Sequence, residues 1–135
     1  MKMDVSGLPY PIETALVTLL EDEINKRKLP ASSTVTLNFR DPDYSSESGG
    51  FHPVEVRVSA QGVIEYFTDF ALVGVGDFTE LTSEIDFDFA NDLFIHFGKM
   101  HHISEGRELF EIWHQNFTSY HAMGVYEVEC VAGQE

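Results

Sequence analysis

The 135-residue sequence carries 23 acidic and 8 basic side chains, and its formal net charge of −15 repels nucleic-acid phosphates and anionic lipid headgroups, which argues against direct binding to either. A hydrophobic fraction of 43% with 11 phenylalanines provides a core and argues against disorder. Cys130 is the only cysteine, so no internal disulfide can form, and no apolar run is long enough for a signal peptide or membrane span. We therefore expect a cytoplasmic protein with a single domain over residues 1–135.

The first predicted elements are a helix and a strand. Apolar residues between positions 12 and 24 recur at spacings of three and four, which predicts an amphipathic helix ending near Lys28. Residues 35–39 alternate between apolar and polar, the period of a half-buried strand. This alternation predicts that Asn38 and Arg40 point away from the core.

The strand leads into a loop, residues 41–52, that is dense in ionisable and hydroxyl side chains. Asp41, Pro42 and Asp43 favour a turn, and the serines and glycines that follow are typical of a loop. Loops held between rigid strands often carry functional residues. We therefore predict that a functional site, if the chain has one, includes this loop.

Residues 54–70 predict a hairpin. A three-residue loop at positions 60–62, with Gly62 in the left-handed conformation, pairs Val58 with Ile64 and Val56 with Tyr66 in the core. In that register the opposite face of the sheet carries Glu55, Arg57, Glu65, Phe67 and Asp69.

Residues 77–97 fit either a helix or a hairpin. We predict a short helix followed by a strand in which Phe87 and Phe89 share one face, because the alternation there is sharper than helical spacing provides. Asn91 and Asp92 then predict a turn toward the apolar segment 93–97.

The last elements are a second amphipathic helix and a closing strand. Ser104 is the predicted N-cap of the helix, and Gly124 ends it. Residues 125–131 alternate as a strand, with Glu127 and Glu129 directed away from the core.

Together these elements predict an α+β fold with two layers, a mainly antiparallel sheet with two main amphipathic helices packed on one face. The opposite face is then open and polar, with the 41–52 loop at its edge. An ordinary solvated sheet face is the alternative interpretation of the same charges. The candidate functional surface comprises Asn38, Arg40, Asp41, Asp43, Tyr44, His52, Glu55, Arg57, Phe67 and Asp69.

Within this surface the two arginines are the candidate ligand-binding groups. Arg40 and Arg57 could each offer a guanidinium fork to a carboxylate or phosphate of a ligand. The alternative, which we favour, is that these arginines form internal ion pairs with Glu55, Glu65 or Asp69.

No motif of a known catalytic or metal site is present. The six histidines form no HExxH pattern, and the 41–52 loop has Ser46 and His52 where a calcium-binding loop needs glycine and glutamate. The acidic pair Asp86 and Asp88 is typical of the wet side of a strand, and Trp113 is typical of a core. We therefore predict no catalytic residue, no metal site and no cofactor.

Four segments resemble a small bacterial family catalogued only as a domain of unknown function. They are NFRDPDYSSESGGFHPVEVR, TDFALVG, EIDFDF and IWHQNFTSYHAMGVYEVE, and together they extend over most of the chain. The resemblance implies a compact α+β bacterial protein with no assigned activity, cofactor or catalytic residue.

Several functions remain open from the sequence. The favoured one is a non-catalytic protein-interaction module that meets a protein partner or a second copy through a sheet edge or the polar face, with an apolar patch near Phe67 or an unpaired strand edge. The alternative is a small-ligand-binding protein or enzyme whose site joins the 41–52 loop to Arg40, Arg57 and Asp69. A third is an acidic nucleic-acid mimic, which needs carboxylates at phosphate-like spacing.

Overall fold

The computed structural model describes residues 1–74 and 79–133, which form an α+β fold on a seven-stranded antiparallel sheet. The elements in chain order are α1 (Thr14–Asn25), β1 (Thr34–Arg40), β2 (Val54–Val58), β3 (Ile64–Val73), β4 (Glu80–Asp88), β5 (Leu93–His96), β6 (Lys99–His102), a 3-10 turn (Ile103–Gly106), α2 (Arg107–Ala122) and β7 (Glu127–Gly133). The strand order across the sheet is β6-β5-β4-β3-β2-β1-β7. The predicted fold class is confirmed. Among the described residues, no helix is both long and apolar enough to cross a membrane.

The core lies between one face of the sheet and the two helices. Leu16 and Leu20 of α1 are fully buried, because the apolar side chains of this helix recur on one side. In α2, the ring of Phe117 packs edge-on against Phe39 of β1 at a centroid distance of 4.9 Å. The helices leave the other face of the sheet open, as the amphipathic patterns predict.

The β2–β3 connection has the predicted loop. Gly62 has φ +83°, and Val58 pairs with Ile64. A Cβ atom at position 62 would lie 2.4 Å from the backbone oxygen of Lys2, so only glycine fits beneath the N-terminal segment. The predicted loop and first pair of the hairpin are confirmed.

Beyond that first pair, the predicted register of the hairpin is wrong. A β-bulge inserts Glu65 as an extra residue of β3, so Arg57 pairs with Tyr66 and Val56 pairs with Phe67. Phe67 is therefore completely buried among the core side chains, and Tyr66 lies on the open face beside Arg57. The prediction that Phe67 belongs to the exposed functional surface is wrong for the same reason.

The segment Glu80–Asp88 is a strand, β4, and not the short helix that we predict before residue 85. It pairs with β3 along its whole length, and this tertiary pairing outweighs the helical spacing of its apolar side chains. Residues 75–78, where the predicted helix begins, lie outside the described residues. The predicted turn at Asn91 and Asp92 is confirmed, and a second hairpin follows it because Phe97 and Gly98 take positive φ values of 49° and 78°.

The start of α2 also differs from the prediction. The N-cap of the 3-10 turn that opens it is His102, not Ser104, because the imidazole Nδ1 of His102 accepts a hydrogen bond from the Ser104 backbone N–H. The carboxylate of Glu105 accepts one from the His102 backbone N–H in return. At the other end of the chain, β7 presents Glu127 and Glu129 to solvent, as predicted.

Candidate functional site

The 41–52 loop is folded around the carboxylate of Asp41. Its Oδ1 accepts a hydrogen bond from the backbone N–H of Asp43 at 2.9 Å, and its Oδ2 accepts one from the backbone N–H of Phe51 at 3.0 Å. Gly50 has φ +125°, and a Cβ atom there would lie 2.8 Å from Asp41 Oδ2. Asp41 is therefore the residue that closes the loop.

Two aromatic side chains fix this loop to the rest of the fold. The hydroxyl oxygen of Tyr44 accepts a hydrogen bond from the Leu72 backbone N–H at 2.9 Å, which joins the loop to β3. The ring of Phe51 packs on Tyr120 of α2 at a centroid distance of 4.5 Å. The loop is thus held in one position against a strand and a helix.

Between the loop and α2 lies a cavity of about 320 Å³, which we call the loop–helix cleft. Most of its walls are aromatic, and its polar groups come from the loop, β3 and α2. Its lining residues are Gly50, Phe51, His52, Val54, Asp69, Trp113, Asn116, Phe117, Tyr120 and Tyr126.

Inside the cleft the Asp69 carboxylate links an imidazole to an indole. Its Oδ1 lies 2.9 Å from Nδ1 of His52, and its Oδ2 accepts a hydrogen bond from the Trp113 Nε1–H at 2.9 Å. The prediction of Asp69 on the open sheet face is wrong, because Asp69 pairs with Val54 and lies on the helix side after the bulge at Glu65. The indole donor needs an acceptor once the ring is buried, and Asp69 is that acceptor.

A second carboxylate, Glu84, reaches the same imidazole from β4. The β3–β4 register shifts after the pair of Asp69 with Ile85, so that Glu84 is the extra residue of a bulge and Phe70 pairs with Ser83. Bulges often redirect a side chain in this way. One carboxylate oxygen of Glu84 lies 3.1 Å from His52 Nδ1, and the potential ligand atoms of His52, Asp69 and Glu84 all lie within 4.8 Å of one another.

The electrostatic environment of the cleft is negative. Burial raises the pKa of the Tyr126 hydroxyl, and the charges of Asp69 and Asp41 raise this pKa further. The phenol of Tyr126 therefore stays neutral, and the field at the cleft favours a positively charged group.

A family described as "Protein of unknown function (DUF2787)" matches residues 14–131. The chain belongs to this family. The resemblance to a family of unknown function that the sequence motifs indicate is therefore confirmed.

Two solved structures are similar to this DUF2787 chain over nearly its whole length. The hypothetical protein VC0508 from the VSP-II pathogenicity island of Vibrio cholerae is 31% identical, with a TM-score of 0.81 over 96% of this chain and 100% of that one. The conserved hypothetical protein VC1805 from pathogenicity island VPI-2 of Vibrio cholerae O1 biovar eltor is 35% identical, with a TM-score of 0.80 over 93% of this chain and 98% of that one. VC1805 is described as sharing structural homology with the human P32 protein. None of the curated proteins matches the chain significantly.

The residues that the sequence predicts as one surface do not lie together in this DUF2787 fold. Tyr44, His52 and Asp69 are close together at the cleft, with the ring of Tyr44 5.4 Å from the imidazole of His52. Glu55 and Arg57 lie on the open sheet face instead, lining a second, polar cavity of about 410 Å³.

One arginine of the open face has an internal partner. Arg57 Nε donates a hydrogen bond to Glu65 at 2.8 Å, which is the internal ion pair that the sequence analysis favours. Asn38 pairs across the sheet with Glu55 and Glu129, and Arg40 is exposed opposite Glu127. Asp43 is exposed on the loop and does not line the cleft.

The open sheet face of this DUF2787 chain also carries Asp86, a carboxyl group with a raised pKa. Burial, together with the charges of Asp88 and Glu55, raises the pKa of Asp86 to about 6, although a hydrogen bond from the Thr68 hydroxyl opposes the shift. A folded-state pKa above the ordinary 3.8 means that ionised Asp86 destabilises the fold. This penalty grows as the pH rises from about 4 to about 6 and is fully present above pH 6.

We therefore expect Asp86→Asn to stabilise the protein at pH 8 by about 1 kcal/mol, a figure reduced for solvent screening of a half-buried group. The gain is expected to vanish below pH 4, where Asp86 is protonated in both states. Urea unfolding of the variant and of the wild type at pH 4 and pH 8 measures it. Asp43→Asn removes the same charge from an exposed position, and an equal gain from that control would contradict the assignment to Asp86.

Sequence reasoning misses Glu84 and the polar edge of Trp113. Glu84 lies in the segment predicted as a helix, and nothing in its local pattern marks the bulge. Trp113 is largely buried, as the core interpretation predicts, yet its N–H points at Asp69. The sequence offers only a general indication of the contact between Trp113 and Asp69, which is that the N–H of a buried indole requires a hydrogen-bond acceptor.

Proposed function

We propose that this protein binds a small organic cation in the loop–helix cleft. The observation that carries this proposal is the position of the Asp69 carboxylate, which lies within a cavity whose walls are largely aromatic rings. A carboxylate supplies the charge partner of an ammonium group, and the faces of Trp and Tyr rings attract cations.

Charge supports a cation over an anion. The cleft contains Asp69, with Asp41 close enough to raise the pKa of Tyr126 and with Glu84 beside the same imidazole nitrogen of His52 as Asp69. The net charge of −15 raises the local concentration of cations around the whole molecule. An anionic ligand would meet repulsion at every one of these carboxylates.

The size and polar lining of the cleft support a small ligand with one ring. A cavity of about 320 Å³ is at the small end of the range for ligand pockets. Within the described residues, the side chains of Asn116, Tyr120 and Tyr126 form no hydrogen bond to another protein group, so each can offer one to a ligand. The anchored loop also lowers the cost of ordering the site on binding.

Three ligands of the same shape and different charge test this proposal: benzylammonium, benzyl alcohol and benzoate. Trp113 is the only tryptophan, so its fluorescence and its single indole N–H resonance report on the cleft alone. We expect benzylammonium to shift the indole resonance in a saturable way, and the other two ligands to bind at least ten-fold more weakly. EDTA is present throughout, so that no metal ion competes for Asp69.

Asp69→Asn and Asp43→Asn form the matched pair of variants. Both remove one negative charge, but only Asp69 lines the cleft. We expect Asp69→Asn to weaken benzylammonium binding at least ten-fold and Asp43→Asn to leave it within two-fold. Equal binding of the three ligands, or equal effects of the two variants, would refute the proposal.

A second candidate function is an interaction module that forms a homodimer through the edge of β6. Two large apolar side chains of the β5–β6 hairpin support it, since Phe97 is 64% exposed and Met100 is 66% exposed. The edge strand β6 is at the end of the sheet, where its outer backbone groups can pair with another strand. The apolar patch expected near Phe67 does not contribute, because Phe67 is buried.

Sedimentation equilibrium tests the dimer. We expect the wild type to dimerise at micromolar concentration and Met100→Lys to remain a monomer. A wild type that is still monomeric at about 100 µM would exclude this second candidate. A dissociation constant of about 100 µM corresponds to a standard free energy of association of roughly −5.5 kcal/mol.

A further inference from the structure

We propose that His52, Asp69 and Glu84 form a binding site for one first-row divalent transition-metal ion, with Zn²⁺ as the probe. The three side chains come from the loop before β2, from β3 and from β4, so no spacing along the chain indicates the site. This inference goes beyond the organic-cation proposal and does not depend on it.

The positions of the ligand atoms fit such an ion. His52 Nδ1 lies 2.9 Å from Asp69 Oδ1 and 3.1 Å from Glu84 Oε2. Ligands about 2.0–2.1 Å from a tetrahedral zinc ion are about 3.3 Å apart, so these two separations differ from the tetrahedral value by only a few tenths of an ångström. The ligand atoms of Asp69 and Glu84 lie within 4.8 Å of each other. One imidazole and two carboxylates are ligands that first-row divalent ions accept.

Hydrogen bonding leaves Glu84 without a donor. Nδ1 of His52 carries at most one proton, and its hydrogen bond is to Asp69. The Glu84 side chain accepts no hydrogen bond from any described residue, although it is only 22% exposed. A partly buried carboxylate in this position is stabilised by a cation.

The net charge of the cluster also favours a divalent ion. Two carboxylates around one imidazole carry a charge of −2 when the imidazole is neutral and −1 when it is protonated. A divalent ion with a neutral imidazole brings the total to zero. Among the described ion pairs, neither Asp69 nor Glu84 has a lysine or arginine partner.

The surrounding groups hold the ligands in place. The Trp113 Nε1–H fixes the second oxygen of Asp69, which is the kind of outer contact that orients carboxylates at metal sites. The bulge in β4 turns Glu84 toward His52 instead of leaving it in the regular alternation of the strand. With three protein ligands, one coordination position of a tetrahedral ion stays open.

Calorimetric titration with Zn²⁺ after removal of metals by EDTA tests the site, using Glu84→Gln and Glu80→Gln. Glu80 lies on the same strand and is exposed, so its variant makes the same chemical change outside the cluster. We expect one Zn²⁺ per chain for the wild type, an affinity at least ten-fold lower for Glu84→Gln, and an affinity within two-fold of the wild type for Glu80→Gln. Zn²⁺ is also expected to raise the melting temperature of the wild type and of Glu80→Gln more than that of Glu84→Gln.

If Glu84→Gln fails to fold, the NMR resonances of the histidine nitrogens in the wild-type chain test the site independently. Six histidines are present, and we expect Zn²⁺ to shift the imidazole nitrogen resonances of His52 first. Shifts at His101 or His102 with His52 unchanged would overturn the proposal, as would equal Zn²⁺ affinities of the two glutamine variants.

The metal and organic-cation proposals can fail separately. Glu84 does not line the loop–helix cleft, so Glu84→Gln is expected to lose Zn²⁺ and keep benzylammonium. Asn116→Ala is expected to weaken benzylammonium binding and to keep Zn²⁺, because Asn116 lines the cleft and is not a member of the cluster.

Discussion

Replacing Phe67 with alanine is expected to lower the free energy of unfolding by about 4 kcal/mol. Phe67 is completely buried, and its ring contacts Trp113 and Phe110 at centroid distances of 5.4 Å and 5.6 Å. The substitution removes these contacts and leaves a cavity in the layer between the sheet and α2. Equilibrium unfolding in urea measures the loss.

Phe97→Ala is the matched control for this prediction. Phe97 is 64% exposed, so at a protein concentration where the chain is monomeric the same change of side chain is expected to alter stability by no more than about 0.5 kcal/mol. The comparison also tests the bulge at Glu65, because the regular hairpin register would expose Phe67 on the open face. Similar small effects of the two substitutions would contradict the observed register.

The second large effect is expected at Glu23, which joins the two helices. Its side chain is only 6% exposed, and it pairs with Lys26 at 2.8 Å, Arg27 at 3.1 Å and His121 of α2 at 2.6 Å. Removing this buried carboxylate leaves the partly buried Arg27 and His121 without their charge partner. We expect Glu23→Gln to lower the free energy of unfolding at pH 7 by about 3 kcal/mol.

The pH dependence of this loss follows from the pKa of Glu23. Burial raises this pKa, but hydrogen bonds from Lys26, His121 and Arg27 outweigh burial and lower the pKa from 4.5 to about 2. A lowered folded-state pKa stabilises the protein above pH 4.5, and the stabilisation is lost as the pH falls toward 2. The difference between wild type and variant in urea unfolding is therefore expected to shrink between pH 5 and pH 2.

Glu129→Gln provides the comparison, since it removes an exposed carboxylate from β7 and corrects for the change in net charge. Its effect is expected to stay near zero at all these pH values. A difference for Glu23→Gln that stays constant down to pH 2 would show that the network does not depend on the charge of Glu23.

The sequence predicts the fold more completely than it predicts which side chains meet. Strong alternation identifies β1 and β7, and the turn chemistry of Gly62 identifies the loop of the β2–β3 hairpin. The bulges at Glu65 and Glu84 have no signal in composition, and the local sequence does not mark the position at which each one shifts the alternation by one residue. One such residue moves Phe67 into the core and Asp69 to the helix side.

The candidate site depends on contacts between distant parts of the chain. Asp69 and Trp113 are 44 positions apart, and the side chain of Trp113 gives the periodicity of an ordinary core residue. His52 and Asp69 both belong to the predicted surface because the loop and the strand are each rich in polar groups. Their direct contact, and the approach of Glu84, follow from the pairing of β3 with β4 rather than from local sequence.

Because Glu84 is the extra residue of a bulge in β4, its presence does not affect which core residues pair between β3 and β4. On one side of Glu84, Phe67 pairs with Phe87, and on the other side Ala71 pairs with Thr82. Deleting the single residue 84 would bring both stretches into one regular register and would leave these pairs unchanged. Deletion of one codon would therefore remove the carboxylate beside His52 from this chain without a compensating change in the buried layer beneath it.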